Sequence, residues 1–258
     1  MKEGKVPFVS VKRTAGEVKR YRMYRRVVPV GIGVVVAFLT LLYVVSVLFQ
    51  RYGSFTVKVH EYDDRRYGLS LSEQDSFANP TSRLNSAAAK DITNIDGEKD
   101  LPNNLNDSGG EHNGDNYIAY TFFVKNTGEN TCTYQYNLTI TRQTTGIAAA
   151  ARVRLYFEPF YYDTDTGEYR YTNTYTDYAN PNTGGGGAPE VDGGRVMTNF
   201  ADENTVAVGT VSDFKPGDIS KITVVVWLEG NDPDCTDDVL GGQFKLDMSF
   251  DIVGAGES

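Results

Sequence analysis

The stretch "YIAYTFFVKNTGENTCTYQYNLTITRQ", Tyr117 to Gln143, decides the fold class. Large apolar side chains occupy every second position in both of its halves, a period of two that is typical of β-strands with one buried face. The residues on those faces are Ile118, Tyr120, Phe122, Val124, Tyr134, Tyr136, Leu138 and Ile140. An Asn-Thr-Gly turn follows the first half, so the stretch predicts a β-hairpin.

The same alternation recurs on both sides of this stretch. It is present in "SFTVKVH", "RVRLYFE", "TVAVGTV", "KITVVVWLE" and "QFKLDMSFDIV". Ile222–Leu228 is apolar on both faces except at Thr223, which indicates a central, covered strand. Several short strands separated by turn clusters, with little helical periodicity, predict a mainly β protein with an antiparallel β-sandwich or jelly roll.

One segment near the N-terminus differs from the rest. Residues 27–50, Val27 to Gln50, contain no charged side chain. As a helix they extend about 36 Å, enough to cross a hydrocarbon core of about 30 Å. A cleaved signal peptide is the alternative, but its apolar region is shorter and ends at a small-residue site, which "SVLFQRYG" lacks. We therefore predict one N-terminal transmembrane signal-anchor helix.

The charge distribution gives this predicted helix an orientation. Residues 1–26 hold nine of the 25 Lys and Arg residues and two of the 34 acids, so the remainder carries 16 bases against 32 acids, a net charge of about −16. The positive-inside rule predicts a basic cytoplasmic segment (1–26), a single-pass span (27–50) and an extracytoplasmic domain (51–258) at the cell membrane. So acidic a domain disfavours nucleic acid as a partner.

Two segments of the outer domain differ from the strands. Residues of about 96–116 are polar and turn-forming and predict a long mobile loop. Residues of about 157–190 predict a projecting tyrosine-rich hairpin with a flexible glycine-rich return. Tyrosine offers rigid amphipathic contact area, so its six tyrosines are candidate ligand-binding residues, although they also suit ordinary packing across a twisted hairpin. They are Tyr161, Tyr162, Tyr169, Tyr171, Tyr175 and Tyr178.

The two cysteines, Cys132 and Cys235, both fall in the outer domain. An even number of cysteines in an oxidising compartment predicts a disulfide, here one that closes a loop of about 100 residues. Two free buried thiols remain the alternative. Two lone cysteines without a nearby histidine make a poor zinc site.

Catalytic and metal motifs are weak throughout the chain. The loop "NDPDCTDD" offers four carboxylates as a calcium candidate, although Asn and Asp around Pro233 are also ordinary turn formers. They belong to Asp232, Asp234, Asp237 and Asp238. The chain has only His60 and His112 as histidines and no G-x-S-x-G motif, so we expect neither an enzyme nor a required cofactor, with structural calcium left open.

The runs "YTFFVKNTGENTCTYQYNLTI" and "SKITVVVWLEGNDPDCTDDVLGGQFKLDMSF" resemble the TasA/camelysin-like surface proteins of Gram-positive bacteria. The resemblance covers Phe55–Val59, Gly68–Glu73 and, loosely, Asn116–Val253. It implies an exported jelly roll with a surface or matrix role, in some members within fibres where one subunit donates a strand to the next. The uncleaved anchor, the cysteines and the tyrosine insertion depart from fibre-forming members. The metalloprotease label of some relatives finds no support in so few histidines.

These observations together predict a binding or structural function. We expect a membrane-anchored cell-surface domain whose partner is a matrix protein, a cell-wall glycan, or copies of itself through strand addition. The alternative is a surface hydrolase that uses carboxylates, with or without calcium.

Overall fold

The computed structural model describes residues 27–30, 32–43, 55–60, 66–89, 91–144, 146–181 and 189–255. The chain divides into two compact units, Met1–Arg51 and Tyr52–Ser258. The predicted basic segment (1–26), the end of the predicted span and Gly184 to Gly187 lie outside the described residues.

In the first unit, residues 27–30 and 32–43 are helical and are named α1 here. Their apolar side chains are exposed, and Thr40 Oγ1 donates a hydrogen bond of 2.8 Å to the Val36 carbonyl one turn earlier. No helix in the described ranges combines the length and apolar character that a membrane crossing requires.

The second unit is mainly β, as predicted. Its described elements are β1 (Phe55–Val59), β2 (Leu69–Ser72), β3 (Arg83–Asn85), β4 (Gly110–Glu111), β5 (Tyr117–Asn126), β6 (Cys132–Gln143), α2 (Ile147–Ala150), β7 (Ala151–Asp163), β8 (Glu168–Tyr169), β9 (Tyr175–Ala179), β10 (Val191–Asp192), β11 (Arg195–Val196), β12 (Thr198–Asn199), β13 (Thr205–Phe214), β14 (Ile219–Leu228), a 3₁₀ turn (Asp237–Val239) and β15 (Phe244–Ala255).

The strands of the described chain form two large sheets and one short ribbon, β10–β11. The smaller sheet has five strands in the order β13-β6-β15-β1-β3, and the larger has the path β12-β9-β7-β14-β5-β2, with β4 on β5 and β8 on β7. Most neighbours are antiparallel; β1 runs parallel to β15 and β12 parallel to β9. The prediction of antiparallel-rich sheets is confirmed.

The main core lies between the two sheets. It combines Tyr134, Leu138 and Phe250 of the smaller sheet with Phe122 and Val224 of the larger one. The alternation predicted from the sequence is confirmed on β6, where buried and part-exposed residues alternate. On β5 each predicted inward residue is buried, but so are the residues of its other face, because that face is covered as well. Strand β14 is central, as predicted: it pairs with β7 on one side and β5 on the other.

The predicted hairpin of β5 and β6 is wrong. Strand β5 pairs with β14, β2 and β4 in the larger sheet, whereas β6 pairs with β13 and β15 in the smaller one. The Asn-Thr-Gly turn therefore begins a connection that crosses from one sheet to the other over the end of the core. Asn126 holds this crossing, because its Nδ2 donates to the Asn130 carbonyl (3.0 Å) and the Phe214 carbonyl (2.8 Å).

The predicted disulfide between Cys132 and Cys235 is not formed in the structure, where both cysteines are free. Cys132 lies beside Asn126, whose N–H donates to the Asp218 carbonyl just before β14 begins. Cys235 lies beyond the other end of β14, where Asn94 Nδ2 approaches its Sγ at 3.5 Å. A ten-residue strand extends about 30 Å, whereas a disulfide needs Cα atoms within about 7 Å.

Candidate functional site

The outer face of the larger sheet, which points away from the main core, holds an unusual concentration of polar and aromatic side chains. The first part of the loop predicted over about 96–116 packs on this face. Its Leu101 and Leu105 are buried against Tyr156, Val225 and Trp227, forming a second apolar cluster. Strand β14 is therefore covered on both sides, which agrees with its apolar sequence.

Trp227 is buried in this second cluster and joins the loop to the sheet. Its Nε1 donates to Glu229 Oε2 (3.0 Å), and the Gly97 N–H donates to the same oxygen (3.1 Å). Gly97 has to be glycine here, because a Cβ would lie 2.4 Å from Trp227 Nε1. The start of "LEGNDPDC" thus caps the end of β14 rather than forming an open acidic site.

A buried ion-pair network lies near Trp227. Arg152 is fully buried and holds Asp192 through two hydrogen bonds, from Nε (2.6 Å) and Nη2 (3.2 Å). Its Nη2 also donates to Asp232, and its Nη1 donates to the Ala149 carbonyl (2.8 Å). Every charge in this group has a close partner, which is the condition for burying an arginine. We therefore assign it a structural role.

This network bears on the calcium candidates. The Asp232 carboxylate pairs with Arg152 and also accepts a hydrogen bond from the Asp234 N–H (2.6 Å). It is therefore not free to bind a calcium ion. Asp237 and Asp238 lie in the 3₁₀ turn that follows. No group of three or more His, Cys, Asp or Glu side chains in the described ranges is arranged to hold a metal.

Of the six tyrosines predicted to bind a ligand, one packs against the main core and five lie outside it. Tyr178 pairs with Val153 and packs against the main core, so it is not part of an exposed surface. The other five, Tyr161, Tyr162, Tyr169, Tyr171 and Tyr175, are named the tyrosine surface here. The tyrosine-rich segment does not project as one hairpin, because β8 and β9 both pair along β7 within the larger sheet.

Aromatic contacts join one half of the tyrosine surface. The Tyr169 ring lies 5.3 Å from the Tyr161 ring and 4.9 Å from the Tyr162 ring, measured between centroids. Tyr161 also packs against Phe123 of β5 at 5.5 Å. Burial, with the charge of Asp75 as a smaller cause, raises the pKa of the Tyr161 hydroxyl. Tyr169 itself is 59% exposed, so its ring is available to a partner.

The other half is held by charged groups beneath the rings. The Arg154 guanidinium lies 3.9 Å from the Tyr175 ring centroid, while Nε donates to Asp177 (2.6 Å). The Tyr171 hydroxyl donates to the Asp107 carboxylate; burial and this bond raise its pKa. Tyr171 and Tyr175 remain 46% and 45% exposed. The supporting bonds fix the rings while leaving their outer faces accessible.

Lys221 lies between the two halves and was not expected from the sequence. It is only 5% exposed, although it occupies the outer face of β14. Its Nζ lies 5.5 Å from the Tyr161 ring centroid and 4.8 Å from that of Tyr171, and it donates to the Asn106 carbonyl. Burial lowers the pKa of the Lys221 ammonium.

The arrangement therefore offers fixed, exposed aromatic rings over a charged and hydrogen-bonded layer. Carboxylates of Asp163 and Glu168 lie at the same turn, where β7 and β8 pair. Comparison of the chain with protein-family models, with curated proteins and with solved structures gave no match in any of the three.

Proposed function

We propose that the chain is a single-pass membrane-anchored surface protein whose jelly-roll β-domain binds an extended polysaccharide on the tyrosine surface. The observation that carries this proposal is the exposure of Tyr169, Tyr171 and Tyr175. Each side chain is at least 45% exposed, and each ring is held in place by contacts with the larger sheet. Aromatic rings stack on the apolar faces of sugars, and rigid rings lose little conformational entropy on binding.

The location at the cell surface rests on the sequence. A charge-free segment of 24 residues separates nine basic residues from an outer part of net charge about −16. The resemblance to TasA/camelysin-like proteins points to the same place and to the jelly roll. The anchor then holds the tyrosine surface within reach of envelope polymers.

The negative charge of the domain limits which class of polysaccharide it can bind. A domain of net charge about −16 repels polyanions, so the proposed ligand is a neutral or basic glycan, such as one rich in unacetylated amino sugars. The exposed carboxylate of Glu168 at the β7–β8 turn suits hydroxyl and ammonium groups of such a chain, whereas Asp163 already pairs with Arg170 (3.1 Å). Because the site lies on a sheet face, it fits an extended polymer.

Self-association through strand addition has weaker support. The edge strand β13 is ten residues long, and its Val208 is 45% exposed. However, its pairing with β6 shifts register twice, between Thr205 and Ala207 and between Val211 and Phe214. Such irregularities are a common means of protecting an edge from further pairing.

Cosedimentation of the Tyr52–Ser258 fragment with insoluble chitosan, cellulose and peptidoglycan tests the proposal. We expect retention on chitosan and an apparent Kd about tenfold weaker for the double variant Tyr169→Ala/Tyr171→Ala, since each stacked ring contributes about 0.5–1.5 kcal/mol. Val208→Ala, an exposed apolar substitution on the other sheet, is the matched control.

Two results would contradict the proposal. Equal retention of the double variant and the control would remove the tyrosine surface from binding. Release of soluble sugar from any of the polymers would favour the hydrolase alternative instead.

A further inference from the structure

The environment of Lys221 contains a second unusual group, the side-chain amide of Asn106. Asn106 is fully buried, and its Nδ2 has no hydrogen-bond partner among the described residues. Buried amide donors are nearly always paired, so an orphaned one requires an explanation. Lys221 Nζ donates to the main-chain carbonyl of this same residue, so the amine and the unpaired amide belong to one contact between β14 and the covering loop.

The amide oxygen of Asn106 is already polarised. Thr223 Oγ1 donates to Asn106 Oδ1 at 2.7 Å, and Thr121 Oγ1 lies 2.6 Å from the Thr223 hydroxyl in a buried chain. A hydrogen bond at this oxygen draws electron density from Cγ and makes that carbon more electrophilic. The unpaired Nδ2 stands on the other side of Cγ as the potential leaving group.

We propose that Lys221 and Asn106 form an intramolecular isopeptide bond in the folded domain. The Nζ lone pair of the neutral amine attacks Asn106 Cγ, forming the Nζ–Cγ bond. A proton passes from Nζ to Nδ2, the Cγ–Nδ2 bond breaks, and ammonia leaves. Starting from the ammonium form of Lys221, the products are the isopeptide and ammonium ion, so atoms and charge balance without any other reactant.

Burial of Lys221 increases the fraction of its neutral, nucleophilic form. Burial lowers the Lys221 pKa, the usual route to a reactive lysine, while the carboxylates of Asp107, Glu158 and Asp75 act in the opposite direction. Glu158 lies directly across from Lys221 in the β14–β7 register, but its carboxylate accepts from Thr172 and Asn173, so the proton passes directly from Nζ to Nδ2. Tyr161 and Tyr171 contribute the aromatic rings that exclude water.

The bond also resolves two energetic difficulties at once. It removes a buried ammonium charge and an unpaired amide donor, both of which oppose folding. It ties the loop that covers the outer face to central strand β14. This inference is independent of polysaccharide binding, because it depends on the layer beneath the tyrosine surface.

Intact-mass measurement of the purified full-length chain, unfolded in denaturant, tests the proposal. We expect a mass about 17 Da below that of the sequence, the mass of the ammonia released. Trypsin does not cleave after an acylated lysine or between Lys215 and Pro216. Residues 100–125 and 196–245 should therefore appear as one linked species.

Variants separate this bond from other causes. Lys221→Met and Asn106→Ala should each have the mass of their sequence, whereas Lys58→Met, which removes an exposed lysine, should keep the deficit. A wild-type chain with the full sequence mass would overturn the proposal. A deficit that persists in Lys221→Met would overturn it too, since asparagine cyclisation elsewhere would then explain the loss.

Discussion

Replacing Arg152 by methionine should destabilise the β-domain more than any exposed charge substitution. Arg152 is fully buried and donates to Asp192, Asp232 and the Ala149 carbonyl. Methionine fills similar volume but leaves two buried carboxylates without their partner. Breaking a buried ion pair in this way costs about 3–5 kcal/mol. Domains of this kind have about 5–15 kcal/mol of stability, so the loss is a large fraction of the total.

The single tryptophan provides the assay. Trp227 is 1% exposed and hydrogen-bonded to Glu229, so its fluorescence reports unfolding of the same region. With an m-value of about 2 kcal/mol/M in urea, a loss of about 4 kcal/mol lowers the urea midpoint by about 2 M. Arg142→Met, an exposed arginine on β6, is the matched control and should change the midpoint little. A shift below about 0.5 M for Arg152→Met would refute the structural role of this network.

Three further predictions follow from buried groups. Burial raises the pKa of Tyr136 from 10.0 to about 12 and that of Cys132 from 9.0 to about 11, so the folded form holds these protons to higher pH than the unfolded form. The stability that these two groups contribute is therefore complete below pH of about 9 and is lost as the pH rises to about 12. Tyr136→Phe should move the alkaline unfolding midpoint upward, and an unchanged midpoint would contradict this reasoning. A thiol reagent at pH of about 8 should modify Cys235 but not buried Cys132 in the native fragment, and should modify both cysteines after denaturation. If the unreduced protein showed no reactive thiol after denaturation, the two cysteines would instead form a disulfide. Gly97→Ala should destabilise the domain by about 1–3 kcal/mol and red-shift the tryptophan emission, because the new Cβ would collide with the Trp227 ring. A variant with wild-type emission and stability would show that the loop does not pack against Trp227.

The main core was predictable because its strands follow a period of two. Phe122 and Leu138 face inward where the alternation places them, and the apolar run of β14 indicates a covered strand. The partners of the strands were not predictable in the same way. The turn after Asn126 looks the same in sequence whether the next strand pairs beside β5 or crosses to another sheet.

The candidate surface was predictable only in part. The sequence shows that the segment is rich in tyrosine, and three of the six tyrosines are well exposed. Tyr178 faces the core, because its position on β9 sets the direction of its side chain. The packing of Leu101 and Leu105 was hidden, since two leucines among polar residues carry no periodicity. Lys221 resembled an ordinary strand-edge lysine, and its burial depends on a loop more than 100 residues away in sequence.

Hydroxyl-radical footprinting of the tyrosine surface tests the central claim most directly. Saturating the Tyr52–Ser258 fragment with soluble chitosan oligomers should reduce labelling of Tyr169, Tyr171 and Tyr175, while Leu240, which is 76% exposed outside that surface, keeps its labelling. Equal labelling of all three tyrosines with and without the oligomer would contradict the proposed binding surface.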